Sequence, residues 1–298
     1  MASFSVCILA RETSEVLAQL ANHYRRLGAT RVRIFFDGEA NEVQVPEQDG
    51  LDLVVCDQKF WMRHIGQLPN DVDHAICTVF RLAHESASTD WQFFCDADEF
   101  LVSEQPVSQI LDSLDVDEEA LRVMNVEAMW GPGDDPGKEF GCTYMRTSLN
   151  RRQERILRIL LPRRQQDLYR KGFLGHADGK SFIRRGANIE EFSSHHAKRS
   201  DKPIGKWAHD LDLSLEQIAL LHFDAVSETR WIEKWRRRVS NERPSVKMGA
   251  HRLAQFNAVS TAIQSQSLPQ LFSELYCMTR YEVAVLSLFR AIQRQQIL

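Results

Sequence analysis

Four short apolar runs in the first hundred residues, each closed by a charged residue, constrain this chain more than any other feature. FSVCILA (4–10) runs into Arg11 and Glu12, RVRIFF (31–36) into Asp37, LDLVVC (51–56) into Asp57, and WQFFC (91–95) into Asp96. Runs of this length bounded by polar residues read as strands buried in a sheet. Between the first two, Val16, Leu17, Leu20, Ala21, Tyr24 and Leu27 recur at helical spacing after Thr13 or Ser14 as a cap, and Gly28 closes the helix. A second helix, over about 74–88, places Ala75, Ile76, Val79, Phe80 and Ala83 on one face. Strands alternating with helices predict an α/β fold: a Rossmann-like, mostly parallel sheet flanked by helices. Ligands of such sheets bind beyond the carboxyl ends of the strands. Arg11, Glu12, Asp37, Asp57 and the segment FCDADEFL (94–101) are therefore expected along one rim.

Downstream the pattern changes. Residues 121–129 read as one further strand, and WGPGDDPGKEFG (130–141) as a Gly/Pro loop. Residues 151–171 hold eight basic residues against Glu154 and Asp167, as a helix or a mobile segment. An apolar run over 216–223 ends in His222, Phe223 and Asp224. ETRWIEKWRRRVS (228–240) reads as a helix with Trp231 and Trp235 one turn apart, and the last 45 residues as amphipathic helices. The expected division is a main domain over 1–240 and a C-terminal helical extension over 241–298.

The chain has 298 residues and a formal net charge of −4, distributed unevenly. Residues 1–150 carry 11 Lys/Arg against 26 Asp/Glu, and residues 151–298 carry 26 against 15. Either two solvated surfaces differ in sign, or an acidic half holds a cation and a basic half holds phosphates or an acidic acceptor. The six cysteines are scattered without a CxxC pair, which fits a reducing compartment. The start, MASFSVCILA, lacks the basic n-region and long apolar core of a signal peptide. No run reaches the length of a membrane span. A cytoplasmic location is the expectation. The arginines of 151–171 lack interleaved aromatics apart from Tyr169, which argues against a nucleic-acid partner. The same segment suits peripheral contact with an acidic lipid surface, or a lipid-linked or polyanionic acceptor.

The FCDADEFL segment crowds Asp96, Asp98 and Glu99 at the end of a buried strand. Nearby carboxylates repel one another unless a cation or a proton relieves them. Oxygen ligands of this kind suit Mg²⁺ or Mn²⁺, and Mg²⁺ commonly takes one or two carboxylates plus substrate phosphates. A bare DxD is more often a solvated acidic turn. A haloacid-dehalogenase-type phosphotransferase also places DxD after a strand, with Asp96 as nucleophile and Asp98 as acid/base. Against it, Phe100 stands where Thr or Val is usual, and the only DD pair, Asp134 and Asp135, precedes Lys180 instead of following it.

Four blocks in order, spanning residues 3–238, resemble the glycosyltransferase family 2-like proteins of the GT-A fold, in the branch with a DxDEF signature. They are ARETSEVLAQLANHYRRLGATRVRIFFDGE, TDWQFFCDADEFLV, GHADGKSFIRRG and LLHFDAVSETRWIEKWRRR. The resemblance implies a GT-A-type sheet and transfer of a sugar, with inversion, from a nucleoside-diphosphate sugar to a glycan, lipid-linked or small-molecule acceptor. Mn²⁺ or Mg²⁺ is the implied cofactor. The alternative from another class is a non-catalytic nucleotide-sugar or glycan-binding module.

The resemblance also assigns roles. Asp96 and Asp98 hold the metal and the ribose–diphosphate side of the donor. Glu99 orients the turn or the sugar, or caps a following helical turn. Glu12 and Asp37 meet the nucleobase or ribose. Arg11 stands where the family often has Asn and adds positive charge near the nucleotide. His222 is either a metal or diphosphate ligand or a core histidine. Lys180 neutralises a phosphate that Gly179 lets approach, and His176 meets donor or acceptor. Lys234, Arg236 and Arg237 are phosphate candidates or a solvated basic helix face. The base that takes the acceptor's proton needs a raised pKa. Asp224 is the first candidate and Glu127 the second, with Asp134 and Asp135 behind them; a helix cap is the competing role of Asp224. Trp130 stacks on a sugar ring or anchors the core.

Overall fold

The computed structural model describes residues 1–45, 48–161, 166–240 and 249–294. In chain order the elements are β1 (Phe4–Ala10), α1 (Ser14–Arg26), β2 (Arg31–Phe36), β3 (Leu51–Val55), α2 (Gln58–Ile65), α3 (Val72–Glu85), β4 (Trp91–Cys95), β5 (Glu99–Ser103), α4 (Val107–Asp112), β6 (Ala120–Val123) and β7 (Asn125–Met129). There follow β8 (Tyr144–Arg146), α5 (Arg151–Leu160), β9 (Lys180–Arg184), β10 (Glu191–Phe192), β11 (Ala197–Arg199), β12 (Lys202–Pro203), β13 (Lys206–Trp207) and β14 (Ile218–His222). The chain ends with α6 (Glu228–Val239), α7 (Ala250–Gln264), α8 (Leu268–Tyr276), α9 (Arg280–Leu288) and β15 (Ile292–Arg294).

Contacts divide the chain into two units: Met1–Met124 with Asp178–Leu220, and Asn125–Ala177 with Leu221–Leu298. A cut at residue 240 follows a different line. The first unit holds a seven-stranded sheet of order β13-β6-β9-β4-β1-β2-β3. β3, β2, β1 and β4 are mutually parallel, β13 is parallel to β6, and β9 alone runs antiparallel to both neighbours. The fold is α/β, with a mixed, mostly parallel sheet flanked by helices and a helical C-terminal region, consistent with a GT-A-type architecture. The expected strands fall where the apolar runs lie: β1 and β4, central in the sheet, are buried almost throughout, β2 is buried over most of its length, and β3, at the edge, is half-buried at every position. α1 turns Val16, Leu17, Leu20, Ala21 and Tyr24 inward, as its spacing predicts. α3 begins at Val72, not near 74, because the Asp71 side chain caps it by accepting from the His74 N–H at 2.7 Å.

The second unit is built differently. β7 and β15 both pair antiparallel with β8. The core joins Trp130, Trp231, Phe272 and Tyr276, with ring centroids 5.4 Å (Trp130–Phe272), 5.6 Å (Trp231–Phe272) and 5.9 Å (Trp231–Tyr276) apart. α8 thus shares a core with residues 125–177, and α7 is tied to them by Gln255 donating to the Leu168 and Leu174 carbonyls. The run 121–129 is two strands, because the chain leaves the first sheet at Met124 to enter the second unit at Asn125. The basic segment is a helix over Arg151–Leu160, started by the Asn150 side chain accepting from the Arg152 and Gln153 N–H groups. Its residues 162–165 lie outside the described residues. The tail read as helical closes in β15, a three-residue edge too short to carry a period of its own.

Candidate active site

In the first unit the carboxyl ends of β1, β2, β3 and β4 share one edge of the sheet. Arg11 and Glu12 follow β1 there, Asp37 follows β2, and Asp57 follows β3 as the cap of α2. The Asp37 N–H donates to the Ala10 carbonyl at 2.8 Å, which ties the first two strand ends together. Arg11 is exposed and pairs with Glu42 at 3.3 Å. The DADEF segment is a tight turn from β4 into β5, closed by the Glu99 N–H donating to the Asp96 carbonyl at 3.2 Å.

Glu99 begins a strand, so it caps no helix. Its carboxylate, wholly buried, accepts from the Asp96 N–H at 2.8 Å. Lys180 supplies the counter-charge. Its register at the start of antiparallel β9, with Ser181 opposite Phe94, sets it beside the turn. The Nζ donates to Asp96 Oδ2 at 2.8 Å and to the Ser194 carbonyl at 2.6 Å, and lies 3.6 Å from Glu99 Oε2. Its side chain is 0% exposed. Burial alone would push the Lys180 ammonium down, but Asp96 and Glu99 outweigh it and hold its pKa above the ordinary lysine value. Burial pushes Asp96 up to about 6, with Glu99 and Asp98 adding to the rise and Lys180 opposing it. Gly179 (φ 62°) is needed for a protein contact: a Cβ there would lie 2.1 Å from the Val123 carbonyl. That close approach lets β9 begin against β6. Asp96 and Asp98 stay half-buried, while Lys180 has no exposed atom to offer a phosphate.

In the second unit His176 and His222 are brought together, with ring centroids 4.7 Å apart. His222 is buried at the end of β14, and His176 is held through its carbonyl by the Asn125 side chain at 2.5 Å. Glu127, wholly buried, braces the neighbouring loop by accepting from the Leu174 N–H at 3.0 Å and the Gly175 N–H at 2.5 Å. Arg146 forms an ion pair with the same carboxylate. Asp224 is buried as well. It accepts from Arg252 at 3.1 Å and from the Tyr276 hydroxyl, with Lys234 Nζ at 3.9 Å. Although burial would raise its pKa, Arg252 and Lys234 hold it well below the usual carboxylate range. A general base needs the opposite shift, so Asp224 in this setting is an anchor for cations. Asp134 accepts from the Gly131 and Thr143 N–H groups, at 2.7 and 2.9 Å, and shapes the Gly/Pro loop. Trp130 is buried against Phe272 and Tyr276 and is a core residue.

Sequence reasoning missed Arg146, Arg252, Tyr276 and the Ser194 carbonyl. Only Arg252 carried a legible signal, a cation at the start of a helix that otherwise reads as neutral. The hard oxygens of Asp96 and Asp98 suit Mg²⁺ or Mn²⁺, and the paired imidazoles of His176 and His222 suit a borderline cation such as Mn²⁺. Both donor sets fit the implied metal chemistry, although Lys180 already engages one Asp96 oxygen.

No family model and no curated protein matches this chain. Among solved structures, HddC from Yersinia pseudotuberculosis is 11% identical over 51% of this chain and 66% of that one, with a TM-score of 0.29. S. aureus TarS 1–349 in complex with UDP-GlcNAc is 13% identical over 91% of this chain and 75% of that one, with a TM-score of 0.32. A mycobacterial protein is 12% identical over 92% of this chain and 75% of that one, at 0.32. The chain spans just under two thirds of the length of HddC. Similarities this weak carry no argument about activity, and the fold described above rests on strand order and register.

Proposed function

We propose that this chain is a metal-dependent transferase of GT-A type, which moves a sugar from a nucleoside-diphosphate sugar to an acceptor with inversion at the sugar carbon. The observation that carries this reading is the position of the DADEF turn. It sits at the carboxyl edge of a parallel sheet, with Asp96 and Asp98 half-buried and the third carboxylate, Glu99, turned inward onto Lys180. The inward pair sets the turn, and the carboxylates of Asp96 and Asp98 are the oxygen donors this reading gives to a divalent cation. Bound there, that cation would neutralise the departing diphosphate. Glu12 and Asp37 follow neighbouring strands and take the nucleoside, with Arg11 beside them. The ordered blocks assign His222 as a ligand of metal or diphosphate and set His176 against donor or acceptor; the resemblance supplies both assignments. Asp224 and Glu127 act in this reading by holding Arg252, Lys234 and the loop before His176.

The test is titration of the protein with UDP, GDP and their sugars, with and without Mn²⁺, followed by an assay of sugar release. Mn²⁺-dependent nucleotide binding that Asp98→Ala abolishes is the expected result. Binding that survives Asp98→Ala unchanged, or no metal-dependent binding at all, defeats the proposal. One observation favours a second reading: both candidate bases are buried and engaged. A non-catalytic nucleotide-sugar-binding module would bind in the same titration and turn over no acceptor.

A further inference from the structure

The second unit carries on α5 a row of arginines that neither its core nor the candidate site uses. With 3.6 residues per turn, Arg151, Arg152, Arg155, Arg158 and Ile159 fall within an arc of about 120° around the helix, and all are exposed. Among the described residues no ion pair involves any of these guanidinium groups. Glu154, half-buried, lies outside the arc, in the groove that Asp167 also lines and Arg158 borders. Ile159 is 78% exposed, while Leu157, on the other side of the helix, is buried and does the packing.

α9 lies alongside. The Gln153 side chain donates to the Phe289 carbonyl at 3.0 Å, and the Tyr281 hydroxyl donates to the Leu160 carbonyl at 3.3 Å. These ties join the start of α5 to the end of α9, and the end of α5 to the start of α9, so the two helices run antiparallel side by side. α9 presents Tyr281, Ala284 and Leu288 as an exposed stripe at i, i+3 and i+7. Tyr281 is 59% exposed and Leu288 80%. The acid of α9, Glu282, is half-buried and turned to the helix start, where it accepts from the Thr279 N–H at 2.7 Å. Capping boxes at Asn150 and Thr279 start the two helices, and buried Leu157 and Leu286 hold them down. The paired outer face therefore combines unpaired arginines with an exposed isoleucine, tyrosine and leucine.

From this face we infer that the second unit docks on an acidic bilayer surface, with α5 and α9 lying in the plane of the headgroups. Guanidinium groups match lipid phosphates in charge and in hydrogen-bond geometry. Apolar side chains beside them gain by entering the headgroup boundary, and tyrosine suits that depth. α5 has 10 residues, about half the length a membrane span needs, so the contact is peripheral. The unit's 21 Lys/Arg against 12 Asp/Glu give it the sign that anionic lipid attracts. A soluble polyanion would pair with the arginines and leave Ile159 and Leu288 in water. A second copy docked face to face would set arginine against arginine. The inference does not rest on the transferase reading.

Co-sedimentation of the full chain with phosphatidylcholine vesicles, with and without phosphatidylglycerol, is the test. Binding to the acidic vesicles alone is expected, and rising salt should weaken it. Arg151→Gln combined with Arg155→Gln should weaken it about tenfold or more. Ile159→Ser combined with Leu288→Ser keeps every charge and should weaken it several-fold. All four positions are exposed, so the parent's thermal midpoint should be retained. Should a variant unfold, the parent alone decides: residual binding at high salt, where charge attraction is screened, reports the apolar contact, and its complete loss there counts against the inference. No preference for acidic vesicles, or serine variants that bind as the parent does, overturns it. So does poly(U) that displaces the vesicles and binds the serine variant undiminished, because the face is then a polyanion site. A concentration-dependent dimer in sedimentation velocity that the serine substitutions dissolve also overturns it, because a second copy then covers the face. Asp98→Ala should leave vesicle binding intact. A parent that binds acidic vesicles but shows no Mn²⁺-dependent nucleotide binding fails the transferase reading and leaves this surface standing.

Discussion

Lys180 decides how three carboxylates coexist at the end of β4. It neutralises Asp96 directly and faces Glu99 at 3.6 Å, from a position with no exposed side-chain atom. Removing one partner of such a buried arrangement leaves an uncompensated charge, which typically costs about 3–5 kcal/mol. Lys180→Met should therefore lower the urea midpoint by that order of free energy and weaken metal-dependent nucleotide binding with it. A fully stable variant would show that the pair is dispensable. Asp224 makes the matching prediction for pH. Its pKa is depressed in the folded chain below the 3.8 it has unfolded, so the stability it contributes is present above that value and is lost as pH falls through it. Unfolding free energy measured from about pH 5 to pH 3 should fall more steeply for the parent than for Asp224→Asn. These roles were only half legible. The carboxylate crowding was plain in DADEF, and the sequence named Lys180 as a cation. A phosphate partner and a carboxylate partner look alike in one dimension, however, and only the register of β9 against β4 tells them apart.

Among the elements, the loop from Leu174 to His176 is the most tightly specified. Glu127 of β7 takes both its free N–H groups, and Gly175 packs where a Cβ would sit 2.4 Å from His222 Cε1 and 3.0 Å from Glu127 Oε1. Gly175→Ala should push the His222 ring aside and cost about 1–3 kcal/mol in stability by overpacking. Under the proposed function it should also weaken Mn²⁺-dependent nucleotide binding by more than its effect on stability explains; titration of the folded variant separates the two. The parallel strands, α1 and α6 were legible because a buried face imposes its period on the sequence. The break at Met124 was not. The apolar run continues through it while the chain changes sheets, and hydrophobicity carries no record of which partner a strand meets. β15 escaped for a related reason, since three residues hold too little pattern.

For the whole molecule, the charge asymmetry of the two sequence halves follows the two contact units closely. The first unit carries 16 Lys/Arg against 29 Asp/Glu and the second 21 against 12. Each unit is assembled from distant segments, since the chain passes between them at 124/125, 177/178 and 220/221. A chain ending at residue 240 would therefore lose Arg252, Gln255, Phe272 and Tyr276 from the second unit's core and strand Trp130 and Trp231 without their partners. Such a truncation should keep the far-ultraviolet signature of the first unit and the near-ultraviolet dichroism of its buried Trp61 and Trp91, lose the dichroism of Trp130, Trp231 and Trp235, and aggregate. A sharp, monomeric, fully cooperative product would contradict the shared core. No helix among the described residues is long and apolar enough to cross a membrane. The pairing of Lys180 with Asp96 has a consequence in time as well as in space. Eighty-four positions separate them, |i−j| = 84, and at ribosomal rates of about 5–20 residues per second that gap is roughly 4–17 s of synthesis. Through that interval the nascent chain displays β4 and its acidic turn with β1 on one side, but with neither β9 on the other nor the counter-ion yet made. Whatever shields that edge on the ribosome, solvent cations or a chaperone, holds the place of Lys180 until it arrives.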